Sequence, residues 1–212
     1  MIKETAGETA ILALPDNPIE AFHNAWPYLR QLPNGVSIWL QRQYTGECGA
    51  LQTMQTLQHI VDDQAEDRRE LKVITRVVND ENRHVNQIAE LIRRRGEEPR
   101  RMPERELLAG MEIFDEVTWR AACARASLAE SLRAGKARVL ANDETLPDAI
   151  RKTFGSIIKD EAFHARAFMF LAGQEAIRMT AIQDANTWCE NGKIELALAE
   201  AWMNACEGAP IV

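Results

Sequence analysis

The segments Asp80-Glu81-Asn82-Arg83-His84 and Asp160-Glu161-Ala162-Phe163-His164 share the pattern Asp-Glu-x-x-His, and each lies in a stretch of helical apolar periodicity. Residues at positions i and i+3 project from the same side of an α-helix. In each repeat the Glu and the His therefore share one helix face. Two such helices facing each other could surround a pair of metal ions with two carboxylates and two imidazoles.

The Glu and the His of each repeat fill gaps in an apolar stripe. Within residues 71–92 apolar side chains recur at helical spacing, and Glu81 and His84 occupy the missing steps. Glu161 and His164 do the same in the second stretch, whose apolar positions are Ile150, Phe154, Ile157, Phe168 and Leu171. All four side chains should therefore point into the core. A carboxylate buried there needs a positive partner or takes up a proton, and a pair of divalent metal ions supplies that charge.

Two further helical segments each carry one Glu at a suitable position. Glu47 stands at a vacant step of the apolar stripe that precedes the first repeat, and Glu130 lies in the Ala-rich segment 117–140 before the second. Glu116 is the alternative to Glu130 if that helix has a different register. A lone Glu followed by a Glu-x-x-His thus occurs twice along the chain, at similar separations.

This arrangement resembles that of the ferritin-like (rubrerythrin-like) diiron carboxylate proteins, and within that superfamily the O2-activating oxygenases. The resemblance covers about residues 36 to 173, and the first repeat is similar to the form that recurs in bacterial diiron monooxygenases. It implies six metal ligands, which are Glu47, Glu81, His84, Glu130, Glu161 and His164. Of these, Glu81 and Glu161 are expected to take part in catalysis. It also implies that Asp80 and Asp160 lie near ligand histidines, as metal-bound imidazoles generally require.

The function that the resemblance implies is that of a non-haem diiron oxygenase. Such an enzyme activates O2 at a carboxylate-bridged pair of Fe ions to hydroxylate or otherwise oxidise a small organic substrate. Its electrons would come from an external donor such as a ferredoxin or a reductase. A Mn pair or a mixed Mn/Fe pair stays open, because carboxylate and imidazole ligands suit both metals.

Two alternative functions stay open within the same superfamily. One is a rubrerythrin- or ferritin-like protein that handles iron or peroxide. Two observations argue against it: the sequence has no Cys-x-x-Cys pair, and the predicted site has two His ligands, more than a ferritin iron site usually has. The other is a tRNA hydroxylase-like enzyme, whose second helix ends in a stretch similar to Arg94-Arg95-Gly96-Glu97-Glu98-Pro99. The net charge of -7 argues against a nucleic-acid partner, because phosphate binding needs a basic surface.

The predicted fold is all-α, a ferritin-like four-helix bundle with one long crossover in a single domain, residues 1–212. Residues 1–35 are expected to form an N-terminal arm with one short helix near 19–29, and residues 174–212 two C-terminal helices, 175–189 and 193–206. The bundle should span residues 36–173, with long helices near 36–61, 71–95, 117–142 and from 145 or 147 to 173. The crossover should fall in residues 96–110, which contain Pro99 and Pro103.

Length and composition fit one globular domain. The 212 residues are 46% hydrophobic, enough for a sizeable core. With no 18-residue apolar run and no leader-like start, we expect a cytoplasmic protein with no membrane span. Cys48, Cys123, Cys189 and Cys206 are far apart in sequence, which favours reduced thiols over a zinc or rubredoxin-type site. A homodimer stays open.

A basic cluster lies where the second long helix should end, at Arg93, Arg94, Arg95, Arg100 and Arg101. It could dock an acidic redox partner, an acyl-carrier protein or a phosphorylated substrate. Basic residues also complement the carbonyl end of a helix dipole, and this structural interpretation is favoured.

Overall fold

The computed structural model describes residues 18–64, 67–101, 119–174 and 176, and all regular secondary structure within them is helical. The helices are α1 (Pro18–Gln31), α2 (Gly35–Gln64), α3 (Arg68–Arg94), α4 (Trp119–Ala141) and α5 (residues 148–174). The predicted all-α class is confirmed for this part of the chain. The predicted crossover lies mostly outside the described residues, and so do the C-terminal helices, so the ferritin-like arrangement stays a prediction.

The chain divides into two compact units. One is Val36–Thr180, and the other combines Met1–Gly35 with Ala181–Val212. The candidate metal ligands all belong to the first unit. None of the described helices combines the length and the apolar content needed to span a bilayer.

Local sequence explains several helix ends. Asp67 caps α3, because its side chain accepts a hydrogen bond from the backbone N–H of Arg69 at 2.8 Å. Gly96 follows the end of α3 with φ of 78°, a left-handed conformation that glycine adopts without Cβ strain. In the turn between α4 and α5, Asp143 Oδ1 accepts hydrogen bonds from the backbone N–H and the hydroxyl of Thr145.

Helices α2 and α3 form an antiparallel pair. Near the turn that joins them, Gln58 Nε2 donates to Thr75 Oγ1 at 2.8 Å. At the opposite end, Arg95 Nε donates to Ser37 Oγ at 2.8 Å. Arg95, a member of the basic cluster, therefore connects the end of α3 with the start of α2. Its role in docking a partner stays a prediction.

Helices α3, α4 and α5 are tied together at one end of this unit. Arg120 Nη1 donates to Glu70 Oε1 at 3.1 Å and to the Leu171 carbonyl oxygen at 2.8 Å, so one guanidinium links all three helices. Ser127 Oγ donates to the Ala165 carbonyl oxygen at 2.8 Å and brings α4 close to α5. The contacts of residues 120 and 127 with residues 171 and 165 show that these two helices are antiparallel.

An apolar core fills the space between the four helices α2 to α5. Burial of each large aliphatic side chain there contributes about 1.5–3 kcal/mol of stability. The core also explains why α4 is rich in alanine, because small side chains on that helix allow close packing against its neighbours. One cluster of buried residues comprises Met54, Leu57, Val61, Ile74, Val77, Cys123, Ala124, Ala126, Ala167, Phe168, Leu171 and Ala172.

Candidate metal centre

The six predicted ligands converge inside the first unit. They come from all four long helices, Glu47 from α2, Glu81 and His84 from α3, Glu130 from α4, and Glu161 and His164 from α5. Glu47 is 4% exposed and the other five are 0% exposed. The alternative ligand Glu116 lies outside the described residues, whereas Glu130 lies beside Glu81, Glu161 and His164.

The six residues form two groups that share one carboxylate. In the first, which we call the His164 group, ligand atoms of Glu81, Glu130, Glu161 and His164 all lie within 4.8 Å of one another. In the second, the His84 group, ligand atoms of Glu47, His84 and Glu161 do the same. These buried Glu and His groups could therefore hold a metal ion. Glu161 belongs to both groups.

Both imidazoles turn Nδ1 toward the carboxylates. His84 Nδ1 lies 3.4 Å from Glu161 Oε1 and 3.7 Å from Glu47 Oε2. His164 Nδ1 lies 3.2 Å from Glu81 Oε1 and 3.5 Å from Glu161 Oε2. The two rings face each other across the site, with centroids 5.8 Å apart. Nδ1 is therefore the nitrogen of each ring that is placed to bind a metal.

Many polar atoms of the site are buried and make no hydrogen bond to the described residues. They are Glu47 Oε2, both carboxylate oxygens of Glu81 and of Glu161, Glu130 Oε2, and Nδ1 of His84 and of His164. Leaving a buried polar group unsatisfied costs about 1–3 kcal/mol, and more for a charged group. Metal ions bound among these atoms would give each of them a partner. The residues therefore fit the pair of metal ions that the sequence predicts.

The outer nitrogen of each imidazole faces a carboxylate from the opposite repeat. His84 Nε2 lies 3.3 Å from Asp160 Oδ2, and His164 Nε2 lies 3.4 Å from Asp80 Oδ2. A hydrogen on Nε2 that is donated to Asp leaves the Nδ1 lone pair free to bind a metal when the ring is neutral. Asp80 and Asp160 therefore lie where they can orient the two histidines, each acting on the helix of the other repeat.

Arg83 joins the two aspartates, a role that the sequence interpretation missed. Its Nη1 lies 2.7 Å from Asp80 Oδ1 and its Nη2 donates to Asp160 Oδ2 at 2.9 Å. The second repeat has Phe163 at the equivalent position, and the guanidinium of Arg76 stacks 3.6 Å from the centre of that ring. The signal in the sequence was the i+3 spacing of Asp80 and Arg83, which places both side chains on one helix face.

Arg133 is a second residue that sequence reasoning missed. Its Nη1 donates to Glu130 Oε1 at 2.7 Å and lies 3.9 Å from Glu81 Oε1. The i+3 spacing from Glu130 was again visible in the sequence. Spacing alone does not reveal whether a long arginine side chain turns toward the core or toward solvent.

The pKa values of Glu81, Glu130 and Glu161 are shifted in different directions by their surroundings. Burial and the nearby charge of Glu130 raise the pKa of Glu81 to about 7. The same two causes raise the pKa of Glu161 well above its usual range. Burial also opposes ionisation of Glu130, but Arg133 outweighs it and holds the pKa of Glu130 well below its usual range.

The imidazoles carry positive charge in the metal-free site. Burial acts to lower the pKa of His84, but contacts with Glu161 and Glu47 outweigh it and raise this pKa to about 10. The pKa of His164 rises to about 12, because contacts with Glu130 and Glu161 likewise outweigh burial. Protonated imidazoles thus provide part of the positive charge that the sequence argument attributed to metal ions.

An open groove of about 530 Å³ runs along the surface between α3 and α5. None of the six candidate ligands lines it, so it is separate from the metal centre. Arg83 reaches both the groove and the aspartates behind the histidines. The groove is lined by Asn79, Asn82, Arg83, Asn86, Gln87, Glu90, Leu91, Arg94 and Thr153.

Comparison of the chain with protein-family models, with curated proteins and with solved structures gave no match.

Proposed function

We propose that this protein is a non-haem diiron oxygenase with a ferritin-like four-helix bundle formed by α2 to α5. It would use O2 to hydroxylate or otherwise oxidise a small organic substrate. The observation that carries the proposal is the position of Glu161 in both ligand groups. A carboxylate shared by two adjacent metal positions is what a bridged dinuclear centre requires. The antiparallel contacts between α2 and α3 and between α4 and α5 support the proposed fold.

The ligand set favours two divalent ions of the iron or manganese type. Each position has one imidazole nitrogen, together with carboxylates that are hard donors. The four carboxylates would balance the charge of two divalent ions. No cysteine belongs to either group among the described residues, so the donors do not resemble a structural zinc or copper site.

The protein's own part in the reaction is to hold, orient and shield the metal pair. Bound iron would supply the electrons and the Lewis acidity for O2 chemistry. Asp80 and Asp160 fix the orientation of the two imidazoles through Nε2. Buried apolar side chains such as Ile88 and Ile157 help exclude water from the interior of this unit.

Reaction of the reduced iron-loaded protein with O2 tests the proposal. We expect O2 consumption and a transient absorption in the near-visible region that decays faster with a suitable organic substrate. Glu81→Gln should abolish the transient, because Glu81 supplies ligand atoms to the His164 group. The matched control is Glu90→Gln, since Glu90 lies on the same helix but pairs with Arg94 at the surface.

Two results would contradict the oxygenase proposal. The first is an unchanged transient in the Glu81→Gln variant, which would mean that the O2 chemistry does not occur at this site. The second is rapid peroxide consumption that needs no organic substrate, with no oxidised product found for any substrate. This second result would favour iron or peroxide handling instead.

A further inference from the structure

Arg133 is the arginine that contacts the carboxylates of the candidate metal centre. Within the described part of the chain, no other Lys or Arg nitrogen lies within 4.0 Å of a carboxylate oxygen of Glu47, Glu81, Glu130 or Glu161. The position three residues after Glu47 on α2, which corresponds to Arg133 on α4, is an alanine. Among the described residues, Arg133 is therefore the one Lys or Arg side chain at these carboxylates, on the side of Glu130.

The guanidinium of Arg133 connects the buried carboxylates with solvent. Only Nη1 makes the contacts to Glu130 and Glu81. Nε and Nη2 make no hydrogen bond to the described residues, and neither is a buried polar atom without a partner. The side chain of Arg133 is 28% exposed, whereas that of Glu130 is only 1% exposed. Two nitrogen donors of Arg133 thus face solvent directly beside the centre.

Among the residues that the structure describes, the charges around a metal-loaded centre would leave one net positive charge at Arg133. Asp80 and Asp160 are matched by Arg83, which pairs with both, and by Arg76, whose Nε lies 3.6 Å from Asp80 Oδ2. Two divalent ions would match the four glutamates. Among the described residues, the charge of Arg133 then remains unmatched, on a side chain that is 28% exposed and lies beside a carboxylate that is 1% exposed.

We propose that Arg133 binds the carboxylate of a small organic acid beside the metal pair, which makes organic monoanions the substrate class. This inference rests on the proposed dinuclear function. The planar guanidinium fork matches a carboxylate in a bidentate contact. A single excess positive charge favours a monoanion over a dianion such as a phosphate monoester. In the metal-free protein Glu130 neutralises Arg133, so binding of the acid should require metal.

Calorimetric titration of the full chain tests this inference, with sodium acetate, butyrate and benzoate as probes. The Mn(II)-loaded protein should bind at least one of them, and the corresponding amides and the metal-free protein should bind about tenfold more weakly or worse. Arg133→Gln should weaken binding by about tenfold or more, whereas Arg133→Lys should keep part of it. The control is Arg138→Gln on the exposed side of the same helix, which should bind like the wild type.

Several results would overturn the inference. One is equal binding of the acids by the wild type and by Arg133→Gln. Another is no binding of any of the three acids, and the last is binding of inorganic phosphate that is tighter than binding of the acids. Metal content is measured in the same samples, so the two proposals can be separated. Two metals per chain without binding of an acid would contradict this inference alone. A wild-type protein that takes up no metal would contradict the proposed function as well.

Discussion

His84 of the first repeat lies with Nε2 3.3 Å from Oδ2 of Asp160, which belongs to the second repeat. The reciprocal contact joins His164 to Asp80 at 3.4 Å. Each repeat therefore supplies the carboxylate that orients the histidine of the other. This crossed arrangement follows from the antiparallel contact of α3 and α5, which brings the start of each repeat beside the end of its partner.

The crossed contact predicts which metal position each aspartate supports. Asp160→Asn should weaken metal binding at the His84 group by about 10- to 100-fold, because a neutral amide orients the imidazole less firmly. Mn(II) binding measured by electron paramagnetic resonance gives the affinity. Asp63→Asn, at an exposed position on α2, is the control and should change nothing. Equal affinities of Asp160→Asn and wild type would show that the contact has no such role.

Arg83 should act on both metal positions at once. It contacts Asp80 and Asp160, so Arg83→Gln releases the carboxylates behind both histidines. We expect weaker binding at both positions in a stepwise Co(II) titration that is followed by absorption. Arg94→Gln is the matched control, because Arg94 is on the same helix and pairs with Glu90 at the surface. A loss confined to one position would contradict the bridging role of Arg83.

Sequence reasoning predicted five of the six converging residues because each of them interrupts an apolar stripe, and it predicted Glu130 from its place in the Ala-rich segment before the second repeat together with the family resemblance. Burial of Glu81 and His84 follows from helical periodicity alone. Helical periodicity could not predict that Asp160 faces His84, because that contact depends on how α3 lies against α5. Arg83 and Arg133 were missed for another reason. An arginine one helical turn from an acid is usually an exposed ion pair, and only packing shows which arginines turn inward.

Metal binding should release protons and strengthen as the pH rises. The pKa of His84 is about 10 and that of His164 about 12 in the metal-free protein, so both imidazoles are protonated near pH 7. A metal ligand must be the neutral imidazole, so each metal displaces protons, and a lower proton concentration favours binding. Calorimetry of Mn(II) binding in buffers of different ionisation enthalpy measures the released protons. Binding heats that are independent of the buffer would contradict this prediction.

Iron content of the protein after anaerobic reconstitution with Fe(II) is the most direct test of the dinuclear centre. We predict about two iron ions per chain in the wild type. Glu161→Gln should hold fewer than one, because Glu161 supplies ligand atoms to both groups and a neutral amide is a poor substitute for a bridging carboxylate. Glu90→Gln, the exposed control on α3, should keep the wild-type content. A wild type that holds less than one iron ion, or a Glu161→Gln variant that keeps two, would contradict the account.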